Sequence, residues 1–188
     1  GDHRDLHLSI RRQRQMCIRD SDNYCRPFLF FKGFFAIQAQ RLANALWHSE
    51  RRSLARYIQH KVSLLWCCDI LPAAQLGSGL MVDHATGLVI GETAKVGNNV
   101  SLLHGVTLGG SGNDVGKRHP AIGDDVMISA GAKVLGNISV GKGSKVGAGS
   151  VVLKTVPAHV TVAGVPAKIV GRLSDRTPSL SMDQDISH

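Results

Sequence analysis

Between Ile70 and Val152 an aliphatic side chain returns every six residues. It falls at Ile70, Leu76 and Val82, slips by two, and resumes at Ile90, Val96, Leu102 and Leu108. After an interruption it continues from Ile122 through Ile128, Val134, Val140, Val146 and Val152. A small or aliphatic residue follows four positions later, as at Ala74, Ala94, Val106, Ala132 and Ser150. Gly often follows the aliphatic directly, as at Gly77, Gly97, Gly123 and Gly141. An amphipathic helix cannot hold a period of six, and simple alternation does not put glycine at one phase. Repeats this short bury their inner faces only by stacking, so the pattern predicts a parallel β-solenoid over residues 69–171. Three hexads make one triangular coil of about 18 residues, with the aliphatic pointing inward.

The chain is 43% hydrophobic but only 5% aromatic, so its core must be filled by Val, Ile, Leu and Ala. Residues 22–68 read differently. Phe28, Phe31, Phe35, Leu42 and Leu46, then Leu54, Ile58, Val62 and Leu65, recur at helical steps. The break at "HSERR" (residues 48–52) predicts two helices, with Ser49 as a cap, Trp47 and Trp66 packed in this helical part, and Pro72, shortly after Cys68, helping to stop the second. Residues 1–21 are set apart from the fold: "SIRRQRQMCIRDS" is charged, lacks an apolar face and resembles translated adapter read-through. They are expected to be non-native, and an independent read of the gene should then give a different N-terminus. Residues 172–188 read as a tail, expected to be incomplete.

The formal charge of +8 fits either a soluble basic surface or a small anionic ligand such as a nucleotide phosphate. Nucleic acid is not expected, because basic-aromatic interleaving and zinc-finger spacing are absent. No apolar run is long enough to span a bilayer. Cys17, Cys25, Cys67 and Cys68 include no CxxC pair, which fits a reduced, cytoplasmic setting.

Chemistry is expected where the rhythm fails. The first failure is "VDHATG" (residues 82–87); the second is the loop "TLGGSGNDVGKRHPA" (residues 107–121). Fourteen residues separate Leu108 from Ile122, which reads as two hexads replaced by a loop. His84 and His104 share a phase, so they should stack on one edge, with coils about 4.8 Å apart. Asp69 precedes His84 by 15 residues, close to one coil. A carboxylate there would fix the tautomer of His84 and stabilise its cation, making a general base. Asp83 alone could be a turn residue, and His104 a surface one.

The stretches "DILPAAQLGSGLMVDHATGLVIGETA", "VTLGGSG", "RHPAIGDDVMISAGAKVLGNI" and "GVPAKIVG" resemble the serine O-acetyltransferase family of the hexapeptide-repeat superfamily. The similarity covers about residues 22–185, and "KGFFAIQAQR" matches the end of that family's helical domain. The resemblance implies a left-handed parallel β-helix, mostly β, preceded by a short α-helical segment. It implies transfer of acetyl from acetyl-CoA to the serine hydroxyl, with no metal. His84 matches the general base and Asp69 its carboxylate partner, the catalytic pair. Asp83 matches a serine contact, and Arg118 and His119 match the residues that hold the serine carboxylate. Acetyl-CoA would lie along a coil edge at Gly110, Ala130, Gly131 and Ala148, with Lys168 near its phosphates. Backbone N–H groups of Gly109 or Gly110 would face the oxyanion.

The family assembles as trimers, paired through the helical domain, and a homotrimer is expected here. Its partner O-acetylserine sulfhydrylase takes up a terminal Ile, which "SLSMDQDISH" lacks, so no tight complex with that enzyme is expected. A further serine-binding Asp of the family falls at Ile18. Three other readings compete: a sugar or antibiotic acetyltransferase of the same fold, a zinc hydrase using His84, His104 and His119, and an inert scaffold.

Overall fold

The computed structural model describes residues 30–112, 116–173 and 177–185. The segment 1–21, Ile18 and the last three residues lie outside them. Two helices come first, α1 (Lys32–His48) and α2 (Arg52–Trp66). Helix α1 buries Gly33, Phe34, Ala36, Ile37, Gln40 and Ala43, a stripe at three- and four-residue steps. Ser49 caps the end of α1 by donating its hydroxyl to Ala45 O at 2.8 Å. Trp66 stacks on Phe35 with ring centroids 5.5 Å apart, while Trp47 lies under the guanidinium groups of Arg52 and Arg56. Helix α2 ends with Cys67 as its cap, whose φ of 53° turns the chain into the first strand; Pro72 sits in the corner after that strand.

The remainder is a parallel β-helix. The first coil is β1 (Asp69–Ile70), β2 (Gln75–Leu76) and β3 (Met81–Val82). The second is β4 (Val89–Ile90), β5 (Lys95–Val96) and β6 (Ser101–Leu102), and the third is β7 (Thr107–Gly109), β8 (Ala121–Ile122) and β9 (Met127–Ile128). The fourth is β10 (Lys133–Leu135), β11 (Ser139–Val140) and β12 (Lys145–Val146). The fifth is β13 (Val151–Val152), a single bridge at Val156 and β14 (Val160–Gly164). Strand β15 (Ala167–Arg172) folds back antiparallel on β14 and closes the stack. Like strands pair into three faces: sheet A in the order β1-β4-β7-β10-β13, sheet B β11-β8-β5-β2, and sheet C β15-β14-β12-β9-β6-β3.

The hexad residues line the interior. Leu102, Leu108, Ile128 and Val134 have no exposed surface, and neither have Val100, Val106, Val126 and Ala132 from the second phase. Two corners depart from the regular step. Between sheets C and A, the first turn holds residues 83–88, two more than the next turn at 103–106. Between sheets A and B, the step is six residues from Ile90 to Val96 but fourteen from Leu108 to Ile122. The sequence reading of two lost hexads is therefore corrected. β7 and β8 are successive faces of one coil, and the loop is an insertion in a single corner.

A terminal coil leaves backbone groups unpaired, and buried ones need partners. Helix α1 supplies donors: Gln40 Nε2 to Ala74 O at 2.9 Å, Asn44 Nδ2 to Pro72 O at 2.7 Å and Arg41 Nη2 to Gly77 O at 2.9 Å. Its first turn is clamped to the corner of residues 83–88, since Lys32 Nζ donates to Thr86 Oγ1. Gly33 lies against β3 so closely that a Cβ would stand 2.2 Å from Val82 O, a backbone atom. Gly33→Ala is expected to lift α1 and lower unfolding stability by about 1–3 kcal/mol, read from a denaturant titration; an unchanged midpoint would show that the contact is slack.

Residues 177–185 pack on the outer face of sheet C. Helix α3 (Pro178–Ser181) receives the Ser101 hydroxyl on Ser179 O at 2.8 Å, and Lys145 Nζ donates to Asp185 O. Among the described residues, no helix is long and apolar enough to cross a membrane.

Candidate active site

The lengthened turn between sheets C and A puts its extra residues into left-handed backbone: His84 and Ala85 both have φ of 56°. Tight bonds from Ala85 N to Asp83 O at 2.6 Å and from Thr86 N to His84 O at 2.7 Å hold the kink. The His84 side chain is thereby turned outward and is 72% exposed. It meets His104 edge to face, with ring centroids 5.9 Å apart, so the two imidazoles share the edge their common phase predicts.

Below them runs a column of small residues. Gly87, Gly105, Gly131 and Gly149 follow one another down this corner with φ of 74°, 68°, 71° and 66°. Each coil hangs on the one before: Gly105 N donates to Thr86 O at 2.8 Å, Gly131 N to His104 O at 2.9 Å and Gly149 N to Ala130 O at 2.8 Å. A left-handed corner without a side chain repeats cheaply only with glycine. Ala130 and Gly131 lie in this column and Ala148 at its exposed lower end. Lys168 stands on β15 opposite Ala163, next to the turn where Gly164 N donates to Ser150 Oγ at 3.1 Å. Gly110 is elsewhere. It belongs to the corner between sheets A and B, where a Cβ on it would meet Arg118 O at 3.4 Å.

The carboxylates are distributed differently from the sequence expectation. Asp83 Oδ1 is 3.5 Å from His84 Nε2. Asp69 makes no hydrogen bond to His84; its carboxylate accepts from Gln59 Nε2 of α2. The physical reason is register. Asp69 opens β1 on the outer face of sheet A and pairs with Val89, five residues beyond His84, where α2 packs over it. The neighbouring Cys68 is buried, and burial pushes its thiol up to about 11, so it is a protonated packing group at neutral pH.

Arg118 and His119 stand at the corner between sheets A and B, at the end of the inserted loop. The imidazole of His119 is buried at 7% exposure and rests on Gly91, where a Cβ would fall 2.1 Å from Nε2. Burial first, and the adjacent Arg118 guanidinium second, hold its pKa below the ordinary 6.5, so it is neutral at pH 7. The Arg118 side chain is exposed. Within one chain His84 and the Arg118–His119 pair thus sit on different corners. His119 also stands apart from His84 and His104, so these three imidazoles do not converge within the chain as a zinc set would require.

Sequence reasoning passed over Gly91 and Thr93, which seat His119. "GETA" marked both as part of a motif without giving them a task.

These geometries fit what the comparisons find. The family model "Bacterial transferase hexapeptide (six repeats)" matches residues 119–154. Serine acetyltransferase of Escherichia coli strain K12 is 56% identical over 163 residues, 87% of this chain and 60% of that protein. The chain therefore spans about 60% of the length of the curated relatives it matches. Among solved structures, serine acetyltransferase of Vibrio cholerae superposes with a TM-score of 0.91 at 50% identity, covering 98% of this chain and 73% of that one. Serine acetyltransferase of Brucella abortus in complex with coenzyme A does so with a TM-score of 0.86 at 54% identity, covering 91% and 68%. With its stacked hexads forming a left-handed parallel β-helix and its helical segment seated on the first coil, the chain belongs to the serine acetyltransferase family.

Proposed function

We propose that the protein transfers the acetyl group of acetyl-CoA to the hydroxyl of L-serine, giving O-acetyl-L-serine and CoA, the first step of cysteine synthesis. The observation that carries this reading is the exposed His84 imidazole at the head of the glycine column. A column without side chains lets an extended cofactor lie against the backbone, and the Brucella abortus relative is a coenzyme A complex. Ala130, Gly131 and Ala148 would line that path, with Lys168 near its lower end.

Direct transfer needs few parts. A serine hydroxyl is a weak nucleophile until a base takes its proton. His84 accepts that proton as the oxygen attacks the thioester carbonyl. The tetrahedral intermediate collapses, the C–S bond breaks, and the imidazolium returns the proton to the departing sulfur. Asp83, beside His84, takes the serine ammonium group. Arg118 offers a bidentate fork to the carboxylate, and His119 a neutral N–H donor. Asp69 is given the orienting role behind His84 by the family resemblance; to fill it, the carboxylate must exchange Gln59 for the imidazole. An Asp69→Asn variant whose pH–rate profile matches the wild type would remove it from that role.

The two corners require more than one copy. A base on one corner and a carboxylate clamp on the next cannot meet on the same subunit, but they meet if the first corner of one copy faces the second corner of its neighbour. A head-to-tail contact whose rotation closes makes a ring, and the three-sided coil suits a homotrimer. The cysteine spacing, with no CxxC pair, fits the cytoplasm as its place of action.

The test is thiol release from acetyl-CoA with L-serine, run beside a sugar bearing a free hydroxyl. Serine-dependent release is expected to exceed the sugar rate by at least about 10²-fold, since a site that clamps a carboxylate rejects acceptors lacking one. Equal rates, or a preference for the sugar, would reject the serine reading.

A further inference from the structure

We propose that Thr93 is the positioning residue of the carboxylate clamp, fixing both the tautomer of His119 and the backbone that carries Arg118. Four polar contacts converge on this one residue. Its backbone N–H donates to His119 Nδ1 at 3.2 Å. Its hydroxyl lies 2.8 Å from the same Nδ1. The hydroxyl oxygen also accepts the backbone N–H of Arg118 at 3.1 Å and of His119 at 3.2 Å.

Counting donors and acceptors leaves one solution. A backbone N–H can only donate, so Nδ1 must present a lone pair. The hydroxyl has two lone pairs and one hydrogen. Both lone pairs are taken by the N–H groups of Arg118 and His119, so its hydrogen goes to Nδ1. With Nδ1 doubly engaged as an acceptor, the ring proton resides on Nε2. The clamp then presents an N–H donor at a fixed point, which suits an anionic oxygen. The opposite tautomer would set a lone pair against the carboxylate. A neutral donor also avoids leaving an uncompensated charge at a buried position when the site is empty.

Gly91 completes the seat. Its φ is ordinary, so the glycine is required there by space and not by backbone twist. The ring occupies the volume a Cβ would need, with Cδ2 2.0 Å and Nε2 2.1 Å from that point. Gly91 and Thr93 belong to the corner of the second coil, and His119 to the end of the third coil's inserted loop. Thr93 is thus the tie between a rigid coil and a loop that would otherwise choose its own position.

The inference rests on the serine reading for its substrate but not for its geometry, and the experiment separates the two. The first measurement is the nitrogen-15 long-range spectrum of the His119 imidazole in the wild-type chain. It is expected to show a single tautomer with an unprotonated Nδ1; a ring protonated at Nδ1 overturns the proposal whatever the enzyme acetylates. The second compares Thr93→Val, which keeps the shape and removes the hydroxyl, with Thr93→Ser, which restores it. Thr93→Val is expected to raise the serine KM by about tenfold or more, with little change in kcat or in the KM for acetyl-CoA, and to mix the tautomers. Thr93→Ser is expected to return both readouts toward the wild type. A wild-type serine KM in Thr93→Val, or a failure of Thr93→Ser to restore it, counts against the proposal. If the wild type shows no serine-dependent release, the serine reading falls, and the spectrum alone still judges the lock.

Discussion

His84→Ala is expected to lower serine-dependent release of CoA by about 10³-fold, within the range general-base removal produces. The loss should be almost wholly chemical. The ring is largely exposed and fills no part of the core, so its removal opens no cavity. The left-handed backbone it occupies tolerates alanine, because Ala85 adopts the same φ of 56° beside it. Circular dichroism and the melting curve should therefore match the wild type, and the KM for acetyl-CoA should hold, since the glycine column is untouched. A loss below tenfold would take His84 out of the role of base and move attention to His104, whose ring lies 5.9 Å away.

Mixing two inactive variants is the second large effect expected. His84→Ala spoils one corner and Arg118→Ala the other, so each alone should be nearly silent at serine concentrations that saturate the wild type. If every site joins the His84 corner of one copy to the Arg118 corner of the next, random reassembly restores some sites. In an equal mixture, a site works when the first copy carries an intact His84 and the second an intact Arg118. That combination arises about one time in four, so close to a quarter of wild-type activity should return after co-refolding. Activity that stays at the level of the separate variants would mean that both corners serve the same chain, through a rearrangement this structure does not contain.

Much of the fold was legible in the chain's spelling. A period of six is a local property, and each hexad has the same inward environment, so Leu102, Leu108 and Ile128 could be placed in the core by counting. The two-residue slip at Gly87–Ile90 announced the kinked corner of His84 for the same reason. The inserted loop was harder. Counting from Leu108 to Ile122 gives a length but not a face, and only the pairing of β7 in sheet A and β8 in sheet B showed that no hexad is missing. Spacing in sequence did not give the register of Asp69, because the first coil is two residues longer than the regular step. The true register pairs Asp69 with Val89 and leaves its carboxylate to a helix that lies outside the repeat.

The sequence by itself determined the solenoid, its aliphatic core, the two places where the repeat is interrupted and the residue types gathered there. Those follow from periodicity and composition, which act over a few residues. Tertiary structure alone decided that the two interrupted places fall on different corners, that Gln59 engages Asp69, and that Thr93 and Gly91 seat His119. Those depend on how successive coils stack and on where α2 and the inserted loop come to rest, and such contacts join residues separated by whole turns of the chain.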